Sequence, residues 1–355
     1  MSSNEPTTAY LFCHFTGTEQ QWTDEQLYFA VSRDGLHWTD LRPDGDPALV
    51  SDIGERGVRD PYLVRDPRDG RIWLLATDLS IYHRGGDWAT AGAREHGSTN
   101  LVIWSSFDLV HWSQPHMLDV AGRIPGGRFA WAPEAVWDKE HERFLLFWAT
   151  ASASDNTLGS DQNMYIATTT DFHTISEPTL WVDRENPSID ATMLRVGDWW
   201  YRSSAGDGRL HIDRSKNPLA VSIAPTFADE PHIADPNADE QEWQFVTDLD
   251  DIFGDQFNDL CGGKPGSHEL EGPELFLFND ADATVDGRAM PFGLMGDRHR
   301  SKDGYIAFRT ADLASSDPQD WRAANIDFGT LKKRHGTILP ITEAEYQAVC
   351  AAFQR

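Results

Sequence analysis

The sequence predicts an all-β fold, a five-bladed β-propeller with a short C-terminal helix, occupying residues 1–355 as a single domain. Three observations carry that expectation. Short segments of about 4–7 residues, rich in Tyr, Trp, Phe, Ile and Val, alternate with turns bearing Gly, Pro and Asp. A strand–turn unit recurs as LYFAVSRDGLHWTDL (27–41), LVIWSSFDLVHWSQP (101–115), MYIATTTDFHTISEP (164–178) and, more weakly, YIAFRTADLASSDPQDW (305–321). Paired hairpins repeating at about 50–70 residues are what propeller blades require, and five fit the length.

Strands are expected at 10–15, 27–32, 72–77, 101–105, 144–149, 164–168, 199–203, 209–213, 275–278 and 304–309. The stretch 189–213 supplies the blade that the repeat skips, through two apolar segments around a Gly-Asp turn. The segment 337–339 is expected to join the first hairpin, so that both ends of the chain share one blade and no sheet edge stays open. Helical turns are expected at 248–253 and 343–353. The second follows Thr342, a suitable N-cap, and repeats apolar residues at Tyr346, Val349 and Phe353. Residues 217–263 hold about a dozen Asp and Glu without Lys or Arg, which reads as an acidic insertion or loop, either solvated or walling one side of a site.

Composition narrows the ligand. Asp and Glu number 57 against 30 Lys and Arg, a net charge of −27. Nucleic acid and anionic membrane surfaces are therefore not expected partners, because both select basic stripes. The 14 Trp suit an uncharged ligand, and sugars fit because aromatic faces pack against their apolar ring surfaces. No run approaches 18 apolar residues, so no membrane-spanning helix is expected. The opening MSSNEPTTAY has neither a basic n-region nor an apolar h-region, and a cytoplasmic location is expected. Cys13, Cys261 and Cys350 are odd in number, far apart and outside any C-x-x-C pair, so reduced, buried thiols are expected. No feature of the sequence specifies an oligomeric state.

The sequence has no P-loop, G-x-G-x-x-G, H-E-x-x-H or G-x-S-x-G, so nucleophilic Ser or Cys chemistry lacks support. Acidic residues at the edges of inner strands stand out instead: Asp60 in RDPYLVRD, Asp190 in SIDATML and Glu271 in LEGPELFLF. Each precedes Pro, Gly or Ala and then an apolar strand. Inner strands border the channel of a propeller, so three such acids from three blades converge at its mouth. Convergent carboxyls suit glycoside hydrolysis, in which one carboxylate deprotonates water and one neutral acid protonates the leaving oxygen. A nearby third anion helps the acid keep its proton.

The ordered set RDP, WAPEAVWD (131–138), IDAT and EGPEL, with S-x-D-G-x-x-W and DLVHW at strand ends, resembles the five-bladed propeller glycosidases of glycoside hydrolase family 43. The resemblance runs from about residue 10 to 340. It implies inversion at the anomeric carbon, with Asp60 as general base, Asp190 as the acid that tunes pKa and orients, and Glu271 as general acid. Such a pair is expected roughly 6.5–9.5 Å apart. Glu134 matches a position where relatives carry an acid and is expected to line the pocket. Glu274 is a rival to Glu271, but strand alternation turns it to the opposite face. Phe129 and Trp131 are expected in the pocket wall, Arg298 against a sugar hydroxyl or carboxylate, and His14 as a further pocket residue. His335 in RHGTILP resembles the histidine of the last blade near the channel centre, beside a structural Ca²⁺ or a water; the chemistry itself requires no cofactor.

The resulting expectation is release of terminal α-L-arabinofuranosyl residues from plant-type oligosaccharides, in exo mode, with 217–263 helping to close the pocket. β-D-Xylosidase, galactan- or arabinan-active enzymes of the same family, and a non-catalytic carbohydrate-binding propeller stay open as alternatives. A related retaining clan acting on fructosides needs an Asn-Asp-Pro near the start, which is absent. A sialidase is disfavoured, since SRDGLHW (32–38) is one residue short of an Asp-box and no arginine cluster is evident.

Overall fold

The computed structural model describes residues 5–151 and 158–354. Five antiparallel sheets follow one another along the chain. The first holds β1 (Thr7–His14), β2 (Tyr28–Ser32) and β3 (Trp38–Asp40); the second β4 (Val58–Arg65), β5 (Ile72–Asp78), β6 (Asn100–Ser106) and β7 (His116–Asp119). The third holds β8 (Trp131–Asp138), β9 (Arg143–Thr150), β10 (Asn163–Thr169) and β11 (Thr179–Asp183). The fourth is built from β12 (Ser188–Val196), β13 (Trp199–Gly206) and β14 (Arg209–Ser215); the two-residue β15 (Ser222–Ile223) then pairs in parallel with β11, and β16 (Gln244–Asp248) completes the fourth sheet. Two short helices follow, α1 (Leu249–Phe253) and α2 (Phe257–Leu260). The fifth sheet has β17 (Glu271–Leu277), then a small hairpin of β18 (Thr284–Val285) and β19 (Arg288–Ala289), then β20 (Phe292–Asp297), β21 (Tyr305–Thr310) and β22 (Trp321–Ala323). The last strand, β23 (Thr337–Thr342), returns to the first sheet, pairing Leu11 with Leu339 and Phe12 with Ile338. The expected sharing of one blade by both chain ends is therefore found, and the five-bladed propeller closes without a free inner edge.

Helix α3 (Glu343–Phe353) ends the described chain, with the Thr342 hydroxyl accepting from the Glu345 N–H as its N-cap. Its Val349 and Phe353 pack into the cluster of Leu11, Phe29, Leu74 and Trp104 between the first two blades. Four further apolar clusters fill the remaining interblade seams. The inner strands touch in the cyclic order β23, β4, β8, β12, β17. All ten expected strands are present. Beyond these ten, β4 is expected only as the strand that follows Asp60; β8, which carries Pro and Glu, β20, which carries two glycines, and the short outer strands, which have little apolar patterning, are not anticipated.

One local device repeats at the mouth. The ladders of β4, β8, β12 and β17 each shift register near the start, at Arg59/Tyr62, Trp131/Glu134, Ile189/Ala191 and Glu271/Glu274. Each shift contains a left-handed residue: Asp60 (φ 50°), Ala132 (φ 47°), Asp190 (φ 51°) and Gly272 (φ 57°). Such bulges bend a strand and re-aim side chains.

Residues 217–263 are not one loop. They supply β15, β16, α1 and α2, and Glu230 bonds Arg184 and Ser222 in a buried network with Arg202 and Asp213. None of these residues lines the channel mouth, so the expected acidic wall beside Glu271 is absent.

Candidate active site

Asp60, Asp190 and Glu271 meet in one pocket of about 280 Å³ at the mouth of the channel. A broader groove of about 390 Å³ lies between the third and fourth blades, but no inner-strand mouth acid reaches it. Asp60 and Asp190 sit at the bulges of β4 and β12, and Glu271 opens β17. The Thr77 hydroxyl of β5 donates to Asp60 Oδ2 (2.9 Å) while accepting from the Ala132 N–H (2.8 Å), so the bulge of the third blade orients the acid of the second. Asp190 Oδ2 accepts from the Gly272 N–H (3.1 Å). Glu271 Oε1 accepts from Arg334 (3.0 Å), and Oε2 lies 3.8 Å from His299 Nδ1.

Electrostatics separates these groups. Burial pushes the Asp190 carboxyl well above its ordinary range, and the charges of Glu271 and Asp60 push the same way, against the Gly272 N–H. Its neighbour His335 has Nδ1 3.6 Å from Asp60 and 3.8 Å from Asp190. Burial lowers the His335 pKa, outweighing Asp60 and the other surrounding carboxylates, so its ring is neutral near pH 7. The ring approaches the backbone so closely that a Cβ at position 272 would lie 2.7 Å from His335 Cγ, which leaves glycine as the residue that fits there. The Tyr305 hydroxyl donates to the Gly272 carbonyl (2.8 Å) and accepts from the Gly336 N–H (3.0 Å), bracing the segments of Glu271 and His335 together.

Arg334 bridges Glu271 and the buried Asp297. The adjacent Lys333 is fully buried against Asp40, whose other oxygen accepts from the Thr330 and Leu331 N–H groups. This pair anchors the segment before β23 that delivers Arg334 and His335. Arg59, next to Asp60, binds Glu19 and Glu25 and stacks on Phe15 and Trp88. The fully buried Glu25 in turn accepts from the Ser80 hydroxyl and the Ile81 and Tyr82 N–H groups, fixing the loop that carries Trp88.

Other expected site residues fall elsewhere. Trp131 lines the pocket, edge-on to Trp88. Phe129 is fully buried behind it, stacked at 4.1 Å, and supports the wall without forming it. Glu134 is 2% exposed and absent from the mouth; burial raises its pKa, and the charge of Glu274 adds to this. Glu274 does not face away as strand alternation predicts, because the bulge at Gly272 resets the register. It sits deeper in the channel wall, accepting from Thr337 and the Ile338 N–H, with burial pushing its pKa up to about 8. Arg298 spends its guanidinium on the carbonyls of Cys261, Asp303, Gly304 and Tyr305, so it shapes the following loop and does not meet the pocket. His14 is fully buried, stacked on Tyr28, and outside the pocket. Among the described residues no three His, Cys, Asp or Glu side chains converge to hold a metal ion.

Residues that sequence reasoning did not find are Thr77, Trp88, Tyr305 and Arg334, together with His299 and the rim cations Arg94, Lys302 and Lys332. Only Arg334 had a signal, its place beside His335 in the RHG motif.

A family profile described as a probable glycosyl hydrolase domain, related to glycoside hydrolase family 43, matches residues 5–347. An α-L-arabinofuranosidase of Bifidobacterium longum subsp. longum is 27% identical over 274 residues, 68% of this chain and 24% of that protein. The chain thus spans about a quarter of the length of that curated relative. Among solved structures, an α-L-arabinofuranosidase from Fusarium graminearum is similar at 13% identity and TM-score 0.48, covering 86% of this chain and 75% of that one. An exo-β-1,3-galactanase from Clostridium thermocellum is similar at 13% identity and TM-score 0.46, covering 77% and 49%. The profile match takes in all five blades and every carboxyl of the mouth, and the chain belongs to this glycoside hydrolase family 43-related family of probable glycosyl hydrolase domains.

Proposed function

We propose that the protein is an inverting, exo-acting glycoside hydrolase that releases terminal α-L-arabinofuranosyl residues from arabinan or arabinoxylan oligosaccharides. The observation that carries this reading is the meeting of three carboxyls from three inner strands in one pocket. Asp60 is the general base: Thr77 ties up one oxygen and leaves Oδ1 for water. Glu271 is the general acid, since its side chain is the most open of the three at 27% exposure and meets a leaving oxygen first. Asp190, buried between them with its carboxyl pushed well above its ordinary range, is the acid that tunes and positions Glu271, whose strand it holds through the Gly272 N–H. His335 is a neutral spacer in this scheme and no step requires a metal. The aromatic wall of Trp88 and Trp131 suits a terminal sugar ring, and similarity to the Bifidobacterium arabinofuranosidase supports the sugar assignment.

The test is hydrolysis of 4-nitrophenyl α-L-arabinofuranoside, the β-D-xyloside, and oligosaccharides of arabinan, arabinoxylan, xylan and galactan, with product configuration followed by NMR. Arabinose released with inversion is expected. Retention, or no turnover on any member of the panel, overturns the reading, the latter in favour of a binding propeller.

A further inference from the structure

The pocket has an electrostatic character that the whole chain lacks. The protein carries a net charge of −27, yet Arg59, Arg94, Lys302, Lys332 and Arg334 all line the mouth. Two of these are neutralised internally, Arg59 by Glu19 and Glu25, and Arg334 by the buried Asp297. Arg94, Lys302 and Lys332 have no carboxylate within ion-pair distance among the described residues. Lys332 is the informative one. It is half-buried, and burial lowers its pKa; the charges of Arg334 and Lys302 push the same way, against those of Asp297 and Glu19, neither of which is within ion-pair distance of it. A cation held partly out of water without a directly bonded carboxylate is less favourable than in water, and an anion that pairs with it relieves that cost.

Position within the fold says which part of a substrate that anion belongs to. The apolar members of the mouth, Leu79, Trp88, Trp131 and Ile189, come from the second, third and fourth blades. Lys302 lies between β20 and β21, on the loop that also carries His299, 3.8 Å from Glu271. Lys332 precedes β23 and neighbours Arg334, which bonds Glu271. The basic edge thus adjoins the proposed proton donor, where the leaving residue must sit.

We propose that the residue on the leaving-group side of the scissile bond is an acidic sugar, bearing a carboxylate or a phosphate, and that Lys302 and Lys332 hold its negative charge. The proposal rests on the hydrolytic reading above and narrows it from neutral arabinans to acidic oligosaccharides. Lysines are point charges without the bidentate geometry of arginine, so they select charge and not one anion shape. The three free cations are scattered at 94, 302 and 332, and only folding assembles them, so no basic cluster is evident in the sequence.

The test compares matched substrates: an arabinofuranosyl-hexuronate with its methyl ester, and an arabinofuranosyl-hexose 6-phosphate with the unphosphorylated disaccharide. At low salt at least one acidic member is expected to exceed its neutral partner in kcat/KM by about tenfold, the effect of one or two partly exposed ion pairs. The ratio should fall with added salt and approach unity in the Lys302→Gln/Lys332→Gln variant. The arm that responds identifies the anion as carboxylate or phosphate. Calorimetric titration of the same pairs into the Asp60→Asn protein reads the preference without turnover, which separates failure of this inference from failure of the hydrolytic one. Ratios near unity for both pairs in wild type, in kinetics and in binding, overturn the inference.

Discussion

At the scale of single residues, the three mouth acids are legible because each stands at a break in an apolar pattern, and a bulge there re-aims its side chain. Their partners are less legible. Thr77, Tyr305 and Arg334 act across blades; nothing local distinguishes Thr77 and Tyr305 from ordinary strand residues, and Arg334 is marked only by its place beside His335. Asp190 gives a prediction whose sign can be worked out. Its folded pKa is raised, so folding carries no penalty below the unfolded Asp pKa near 3.9, and stability is lost as pH climbs from there toward the folded value. Asp190→Asn removes that penalty, and Asn tolerates the left-handed backbone while its amide oxygen still accepts from Gly272. The variant is expected to be about 1–2 kcal/mol more stable than wild type at pH 7, with the gain vanishing near pH 3, while kcat falls about 100-fold or more. Denaturant titration at both pH values checks the first part and steady-state kinetics the second.

At the scale of elements, the repeat seen in the sequence has a physical cause. In three copies the Ser or Thr hydroxyl accepts from the next two turn N–H groups, and the Asp carboxylate accepts from two more: Ser32 with Asp34, Ser106 with Asp108, and Thr169 with Asp171. Thr310 with Asp312 is a reduced version, which is why that copy reads weakly. The fourth blade has the reduced turn as well, at Ser215 with Asn217, and the change from Asp to Asn hid it from pattern matching. The buried Asp40–Lys333 pair anchors the segment before β23. Asp40→Asn strands a buried ammonium and is expected to destabilise by about 3 kcal/mol, whereas Lys333→Met leaves the Asp40 carboxylate still held by the Thr330 hydroxyl and the Thr330 and Leu331 N–H groups and costs less, about 1–2 kcal/mol. Equal losses in urea titration would show that the pair contributes no more than its packing.

At the scale of the whole molecule, ring closure was readable because the chain ends carry complementary apolar segments, and β1 and β23 pair over Leu11 and Leu339. Charge distribution was not readable. The excess of acid in 217–263 is spent on outer elements and on the buried Glu230 network, away from the pocket it was expected to wall, while scattered cations gather at the mouth. The central claim is that the mouth divides base and acid between Asp60 and Glu271. The most direct measurement is kcat/KM of Asp60→Asn and Glu271→Gln on a pair of α-L-arabinofuranosides, one with a 4-nitrophenyl and one with a sugar leaving group. Glu271→Gln is expected to lose about 100-fold or more on the sugar leaving group and much less on the activated aryl group, while Asp60→Asn loses both alike. Equal losses on both substrates in Glu271→Gln, or turnover retained in Asp60→Asn, would contradict that division.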